Sequence, residues 1–173
     1  RTTTIISFSN DEGARKNFGP FTAGFIKIPY DDTDALEKAL KSSTNIAGFL
    51  VEPIQGEAGV YVPTDGYLAK AKALCEAHNV LFIADEVQTG IARTGRLLAV
   101  NHEDVQPDIL ILGKAISGGV YPVSAVLANN EIMNVIKPGQ HGSTFGGNPV
   151  AAAVAIAALE VVREENLAQN AAF

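Results

Sequence analysis

The chain has 173 residues, of which 47% are hydrophobic, and a formal net charge of −6. This length allows one ordinary hydrophobic core and is short for two domains. The acidic balance, without any block of Lys or Arg, argues against a nucleic-acid surface. The single cysteine, Cys75, excludes an internal disulfide and a cysteine-based zinc site, and no apolar stretch is long enough to span a membrane.

The first part of the sequence predicts a loop, a helix and a strand. Residues 1–30 are rich in Gly, Pro and Phe, which predicts an irregular segment. A helix is predicted over residues 34–42, with Asp34 as its N-cap. The apolar run 46–52 predicts a strand that ends at Glu52, because the proline that follows cannot continue the hydrogen-bond ladder.

The rest of the sequence predicts alternating helices and strands. We expect a helix over residues 65–78, strands over 80–84, 108–112 and 122–128, and a final helix that Asn148 caps and that runs to about residue 164. Apolar strands separated by helices are typical of a mainly parallel sheet covered by helices. The predicted fold class is therefore α/β.

Charged side chains follow three of the predicted strands. They are Glu52, Asp85 with its neighbour Glu86, and Lys114. Ligands of open α/β sheets bind at the carboxyl ends of the strands, so we expect these side chains to meet at one edge. The loop "HGSTFGGN", residues 141–148, adds hydroxyls and glycine N–H groups that suit an anion.

Lys114 follows the strand 108–112, where a lysine is uncommon unless it is paired or functional. Partial burial would lower its pKa and leave an amine that can form a Schiff base. A structural ion pair with Asp85 is the alternative that the residues leave open.

Two kinds of cofactor suit a carboxylate that follows an apolar strand. In a Walker-type ATPase, Asp85 and Glu86 would serve Mg²⁺, but the required phosphate loop is missing because Gly113-Lys114 is followed by alanine. Pyridoxal 5′-phosphate (PLP) instead needs a lysine for its aldehyde, a carboxylate for its ring nitrogen and donors for its phosphate. Lys114, Asp85 and the loop 141–148 could supply these groups, which favours PLP over the ATPase alternative.

Four motifs occur in order along the whole chain: "VEPIQGEAGV", "LFIADEVQTG", "PDILILGKAISGG" and "HGSTFGGNPVA". Together they closely resemble the class III, PLP-dependent aminotransferases, and within that class the enzymes that act on ornithine. The resemblance implies a PLP-dependent transferase of fold type I that works as a homodimer.

The resemblance implies a role in cofactor binding for five residues. Lys114 would hold PLP covalently and would be the catalytic residue. Asp85 would bind the ring nitrogen, and Gln88 would contact the phenolic oxygen. Ser143 and Thr144 would bind the phosphate across the dimer interface.

Two further residues would contact the substrate. Arg1 would bind its α-carboxylate, and Glu57 would pair with an arginine supplied later in the chain. The implied reaction transfers the δ-amino group of ornithine to 2-oxoglutarate and gives glutamate 5-semialdehyde and glutamate. Acetylornithine and 4-aminobutyrate are alternative amine donors, and neither a metal, a nucleic acid nor a membrane is expected as a partner.

The ends of the sequence, Arg1 and Phe173, lead us to expect a piece of a longer protein, since the chain lacks an initiator methionine and stops just after a helix. Residues 1–173 would be part of the PLP-binding large domain, without an internal boundary, and an N-terminal segment and a C-terminal domain would be missing. We expect this piece alone to be inactive. We expect a cytoplasmic protein, or one of the mitochondrial matrix if a presequence is missing.

The remaining polar residues have simpler interpretations. We expect Glu52 and Glu86 to support the site rather than to react. The three histidines match no metal motif, and Cys75 is expected in the core.

Overall fold

A computed structural model describes residues 2–173, which divide into two compact units. The first unit ends at Thr44, and the second is Asn45–Phe173. Arg1, which was predicted to bind the substrate, lies outside the described residues.

The first unit contains three helices: α1 (Thr3–Ser7), α2 (Glu12–Arg15) and α3 (Thr33–Ser42). The prediction of a wholly irregular segment over residues 1–30 was wrong, because α1 and α2 each form one short turn there. Side-chain caps explain these turns. Thr2 Oγ1 accepts a hydrogen bond from Ile5 N at 3.3 Å, and Asp11 Oδ1 accepts one from Ala14 N at 3.2 Å.

The helix α3 confirms the prediction over residues 34–42, but its cap is a different aspartate. Asp32 Oδ1 accepts a hydrogen bond from Ala35 N at 2.8 Å, so Asp32 is the N-cap. Asp34 lies inside the first turn, where its negative charge still favours the helix dipole. The apolar stripe buries Leu36 and Leu40.

The second unit is built on a four-stranded sheet in the order β1-β2-β3-β4. The strands are β1 (Gly48–Val51), β2 (Leu81–Asp85), β3 (Ile109–Leu112) and β4 (Ala125–Ala128). β1, β2 and β3 are parallel to one another, and β4 is antiparallel to β3. All four predicted strands are confirmed, as is the mainly parallel sheet.

Helices connect and flank these strands. They are α4 (Tyr67–Ala77), α5 (Asn130–Met133), α6 (Pro149–Glu164), α7 (Leu167–Ala171) and two 3₁₀ helices, Ala99–Glu103 and Lys114–Ser117. The two long predicted helices are confirmed as α4 and α6. Asn148 caps α6 as predicted, since its Oδ1 accepts from Ala151 N at 2.8 Å. The short elements were not predicted, because a single turn leaves little periodicity in the sequence.

Two groups of apolar side chains hold the second unit together. One face of α4 is buried, including Ala71 and Cys75, and so are Phe82 and Ala84 of β2. A second cluster consists of Ile91, Leu112 and Ile116, with Ala155 and Val162 of α6 packed against it. This cluster fixes the end of β3 and the 3₁₀ helix that follows it.

The helices within the described chain cover the centre of the sheet better than its outer strands. Leu50 in β1 is 42% exposed, and Val126 and Leu127 in β4 are 55% and 47% exposed. No helix in residues 2–173 is long and apolar enough to cross a bilayer.

Candidate functional site

The carboxyl ends of the three parallel strands meet at one edge of the sheet. Val51 pairs with Ala84, and Asp85 pairs with Ile111. Glu52 follows β1 directly, and Lys114 follows β3 after one glycine. The predicted carboxylates and the predicted lysine therefore lie at neighbouring strand ends, which is where α/β sheets bind ligands.

Among residues 2–173, Lys114 makes two polar contacts, and neither is with Asp85. Its Nζ donates a hydrogen bond to Gln88 Oε1 and lies 3.7 Å from Glu57 Oε1. The side chain is 54% exposed, which is more than its place directly after an apolar strand suggests. The reason is that Lys114 begins a 3₁₀ helix beyond the strand, where loop residues rather than the adjacent strand provide its neighbours.

The backbone at Lys114 is strained. Its φ of 44° lies in the left-handed region, which costs a non-glycine residue on the order of 1–3 kcal/mol. The preceding Gly113 is packed closely, because a Cβ there would lie 3.1 Å from Val87 Cγ1. The glycine lets the end of β3 approach the turn that follows β2, and the cluster around Leu112 and Ile116 anchors the segment on both sides.

Asp85 ends β2 and is partly buried. One carboxylate oxygen, Oδ1, accepts a hydrogen bond from Val87 N at 3.1 Å, which fixes the side chain against its own turn. The carboxylate thus has a defined orientation at the strand end next to Lys114.

The Gln88 side chain packs against Gly56, whose backbone N–H is hydrogen-bonded to Glu52. A Cβ at Gly56 would lie 2.6 Å from Gln88 Cγ, so only a glycine admits the Gln88 side chain in this position. Glu52 Oε2 accepts a hydrogen bond from Gly56 N at 3.1 Å. Glu52 therefore acts on Gln88 through Gly56, in agreement with its expected supporting role.

Glu57 lies next to Gly56 in a loop whose two ends are joined. Gln55 and Tyr61 exchange two backbone hydrogen bonds of 3.0 and 2.9 Å. The Glu57 side chain is 85% exposed and faces Lys114. An ion pair at 3.7 Å between exposed groups is weak, so the Glu57 carboxylate can exchange one cationic partner for another.

Ser143 and Thr144 lie in an exposed loop that precedes α6. Ser143 Oγ accepts a hydrogen bond from Gly146 N at 3.1 Å, which braces the loop locally. Within residues 2–173, no hydrogen bond joins either hydroxyl to Asp85, Gln88 or Lys114. The structure brings Gln88, Glu57 and Lys114 into contact and leaves the two hydroxyls outside this group.

The donor set at the strand ends fits PLP. A lysine amine is accessible at the end of β3, a carboxylate with a fixed orientation ends the neighbouring β2, and the amide of Gln88 contacts the lysine. These are the group types that hold the aldehyde and the ring of PLP. Across residues 2–173 there is no cluster of three His, Cys, Asp or Glu side chains that could hold a metal ion.

Comparisons with known proteins agree with this geometry. Residues 1–173 match the family model described as "Aminotransferase class-III". The mitochondrial ornithine aminotransferase of Drosophila ananassae is 65% identical over 171 residues, which cover 99% of this chain and 39% of that protein.

Two solved structures are also similar to this chain. One is an ornithine aminotransferase from Toxoplasma gondii, described with partial occupancy of PLP at its active site. It is 58% identical with a TM-score of 0.96, and the match covers 98% of this chain and 39% of that one. The other is an acetylornithine aminotransferase from Elizabethkingia anophelis, 73% identical over 86% of this chain and 39% of that one, with a TM-score of 0.83.

The chain thus spans about 39% of the length of the curated relative from Drosophila. Because the family model matches every residue from 1 to 173, the resemblance of the four motifs is confirmed, and the Walker-type alternative loses its support. The chain belongs to the class III aminotransferase family.

Proposed function

We propose that this chain is part of the PLP-binding large domain of an aminotransferase that transfers the δ-amino group of ornithine to 2-oxoglutarate. The products would be glutamate 5-semialdehyde and glutamate. The observation that carries the proposal is the accessible amine of Lys114, held by Gln88 beside the strand that ends in Asp85. Relatives named ornithine aminotransferase, 56–65% identical over nearly the whole chain, support the choice of substrate.

Residues from neighbouring strand ends would hold the cofactor. When bound, PLP supplies an aldehyde that captures the amino group and a ring that takes up the electron pair left by a departing proton. Lys114 would bind the aldehyde carbon through Nζ, and Asp85 would keep a proton on the ring nitrogen. Gln88 would face the phenolic oxygen. Ser143 and Thr144 would bind the phosphate in a homodimer with shared active sites, a role that suits their exposed loop.

Lys114 would also move the proton in the reaction. Its Nζ would take a proton from the carbon that carries the substrate amine and would later return it to the cofactor side. In the cofactor-free protein, the hydrogen bond to Gln88 Oε1 orients this amine. Because the Lys114 side chain is 54% exposed, its amine has room to move during this proton transfer.

Glu57 would contribute to the choice of the substrate end that reacts. Its carboxylate lies 3.7 Å from Lys114 Nζ, which supports a position next to the reacting amine. In the proposed protein it would pair with an arginine from another segment, and Arg1 would bind the α-carboxylate of ornithine. Acetylornithine is the second candidate donor, because the 73% identical structure from Elizabethkingia anophelis is described as acting on it.

The test is the visible absorption spectrum of the full-length protein with PLP, before and after each amine is added. We expect a cofactor band that ornithine removes and that is absent in Lys114→Ala. A band that responds to acetylornithine or 4-aminobutyrate and not to ornithine would keep the cofactor and replace the substrate. A protein without any such band would refute the proposal.

We also propose a cytoplasmic location, with the mitochondrial matrix as the alternative. The Drosophila relative is named as mitochondrial, which supports the alternative. Fractionation of cells that express the full-length protein would separate the two, since only a matrix protein stays with the mitochondrial pellet.

A further inference from the structure

Glu86 is a buried carboxylate that the proposed reaction does not use. It directly follows Asp85 and is only 1% exposed. Burying a carboxylate is costly unless hydrogen bonds compensate for the lost water. Both oxygens of Glu86 have such partners: Oε1 accepts from Val100 N at 2.9 Å, and Oε2 accepts from the Thr89 hydroxyl.

The same residue holds the turn 85–90 through its backbone. Glu86 N donates to Ile111 O of β3 at 3.0 Å, and Glu86 O accepts from Gly90 N at 2.8 Å. The turn is closed so tightly that a Cβ at Gly90 would lie 2.8 Å from this carbonyl oxygen. Glu86 therefore joins both ends of the turn to each other and the turn to the strand that leads to Lys114.

Gln88 and Thr89 are adjacent but face opposite environments. Thr89 is 4% exposed, and its hydroxyl points to the buried carboxylate of Glu86. Gln88 is exposed, and its amide oxygen accepts the hydrogen bond of Lys114. Holding Thr89 inward fixes the backbone on which Gln88 extends outward.

We propose that Glu86 is a positioning residue, whose buried carboxylate and its bond to the Thr89 hydroxyl hold Gln88 against the amine of Lys114. This inference rests on the proposed function, because the amine of Lys114 is the reacting group there. Misplacing a reacting group by about 1 Å costs roughly 100-fold in rate, so a small relaxation of this turn has a measurable effect.

The first test uses Thr89→Val in the full-length enzyme, which keeps the shape of the side chain and removes the hydroxyl. We expect kcat to fall roughly tenfold or more with a much smaller change in KM, and Thr89→Ser to recover most of the loss. Glu86→Gln serves as a second variant if Thr89→Val does not fold, because its amide oxygen can still accept from Val100 N. A double variant of Thr89→Val with Gln88→Ala should have the kcat of Gln88→Ala alone.

A matched control separates positioning from stability. Asp108, at the opposite edge of the sheet, also accepts from a backbone N–H, Phe82 N at 2.7 Å, and from a side chain, Lys72 Nζ at 2.9 Å. Asp108→Asn should lower the melting temperature and leave kcat within about twofold of wild type. If Asp108→Asn lowers kcat as much as Thr89→Val does, or if Thr89→Val lowers kcat further in the Gln88→Ala background, Glu86 is only structural and the inference is wrong.

The second test needs no activity and therefore separates this inference from the proposed function. The cofactor-free protein is treated with acetic anhydride, and the acetylation of Lys114 is measured by peptide mass spectrometry. We expect labelling of Thr89→Val to rise to the level of Gln88→Ala, while Asp108→Asn stays at the wild-type level. If this labelling pattern is observed but the full-length protein does not transaminate ornithine, only the proposed function is refuted. If Lys114 of Thr89→Val is acetylated only to the wild-type level, only the positioning role is refuted.

Discussion

Two lysines at opposite edges of the sheet illustrate how one residue type takes two roles. Lys72 Nζ lies 2.9 and 3.0 Å from the two carboxylate oxygens of Asp108 and 3.2 Å from Glu76, and its side chain is 16% exposed. Lys114 is 54% exposed, with one amide partner in Gln88 and one carboxylate at 3.7 Å. Lys72 is held in ion pairs that stabilise the fold, whereas the amine of Lys114 is accessible and can react.

The pKa of Lys72 follows from these contacts. Burial by itself lowers the pKa, but the hydrogen bonds from Asp108 and Glu76, together with their charges, outweigh burial and raise the pKa above its ordinary value. A lysine held in its charged form is a poor nucleophile. The ion pair with Asp108, which joins α4 to the start of β3, therefore excludes Lys72 from a reacting role.

The aspartates at the two edges differ in the same way. Asp108 binds Lys72 with both oxygens and accepts a hydrogen bond from Phe82 N, so it connects α4, β2 and β3. Asp85 accepts one hydrogen bond within its own turn, from Val87 N. At the amino ends of the strands, the charged side chains pair with one another. At the carboxyl ends, charged groups remain that can bind a ligand.

The largest effect should come from replacing the available lysine. Lys114→Arg keeps the positive charge, but a guanidinium cannot give up its proton or bond to the aldehyde. We expect transamination of ornithine by the full-length enzyme to fall by about 1,000-fold or more, with little change in melting temperature. Steady-state kinetics and thermal unfolding of the same preparation measure both quantities.

Lys72→Met is the matched replacement at the other edge. It removes the charge and leaves the partly buried Asp108 carboxylate without its cationic partner, so the free energy of unfolding should fall by about 1–3 kcal/mol. Activity at a temperature where the protein is folded should stay within about threefold of wild type. A variant that lost activity as completely as Lys114→Arg would contradict the division between the two edges.

A smaller effect should come from crowding Gln88. In Gly56→Ala the new Cβ would lie 2.6 Å from Gln88 Cγ, so the Gln88 side chain has to move away from its place beside Lys114. We expect kcat for ornithine to fall roughly tenfold and stability to fall by about 1–3 kcal/mol, the usual cost of overpacking. Single-turnover kinetics and chemical unfolding would measure these changes.

Gly48→Ala is the control for that crowding. Its Cβ would also meet a side chain, Ile83 Cδ1 at 2.9 Å, but at the start of β1 and away from the carboxyl edge. A stability loss no larger than that of Gly56→Ala is expected, because the terminal methyl of Ile83 can move aside, and kcat should be nearly unchanged. If Gly48→Ala slowed the reaction as much as Gly56→Ala, the effect would reflect general destabilisation of the sheet.

The smallest effect concerns stability at alkaline pH, which should depend on Cys75 and Lys72 of α4. Burial raises the pKa of the Cys75 thiol from an ordinary value of 9.0 to about 11. Between these values the unfolded thiol ionises and the folded one does not, so stability falls as pH rises from 9 to 11. The loss should be on the order of 2 kcal/mol. Lys72, whose pKa is also raised, adds stability below pH 10.5 that is lost as pH rises through its folded pKa.

Urea unfolding between pH 8 and pH 11.5 would test this dependence. Cys75→Ala should start from a lower stability because of the lost packing, and its curve should be flatter between pH 9 and 11. Lys72→Met should flatten the part above pH 10.5. Parallel curves for wild type and Cys75→Ala would show that the thiol does not ionise differently in the two states.

Much of the fold could be predicted from local patterns. The strand at 80–84 was confirmed because it is a continuous apolar run, and the helix at 65–78 because its apolar residues recur on one face. Asn148 was confirmed as a cap because its hydrogen bond reaches only three residues along the chain. Asp32 was missed as the cap of α3 because two nearby aspartates offer the same chemistry, and only the backbone conformation distinguishes them.

The sequence by itself determined the α/β class, the family and the kinds of group at the carboxyl edge, since these follow from periodicity and from the order of the motifs. Only the tertiary structure decided which partners those groups have. Lys114 meets Gln88 and Glu57 instead of Asp85, and the carboxylate of Glu86 closes its own turn. These contacts depend on how loops from three strands meet above the sheet, and a distance between residues far apart in the sequence leaves no local pattern to read.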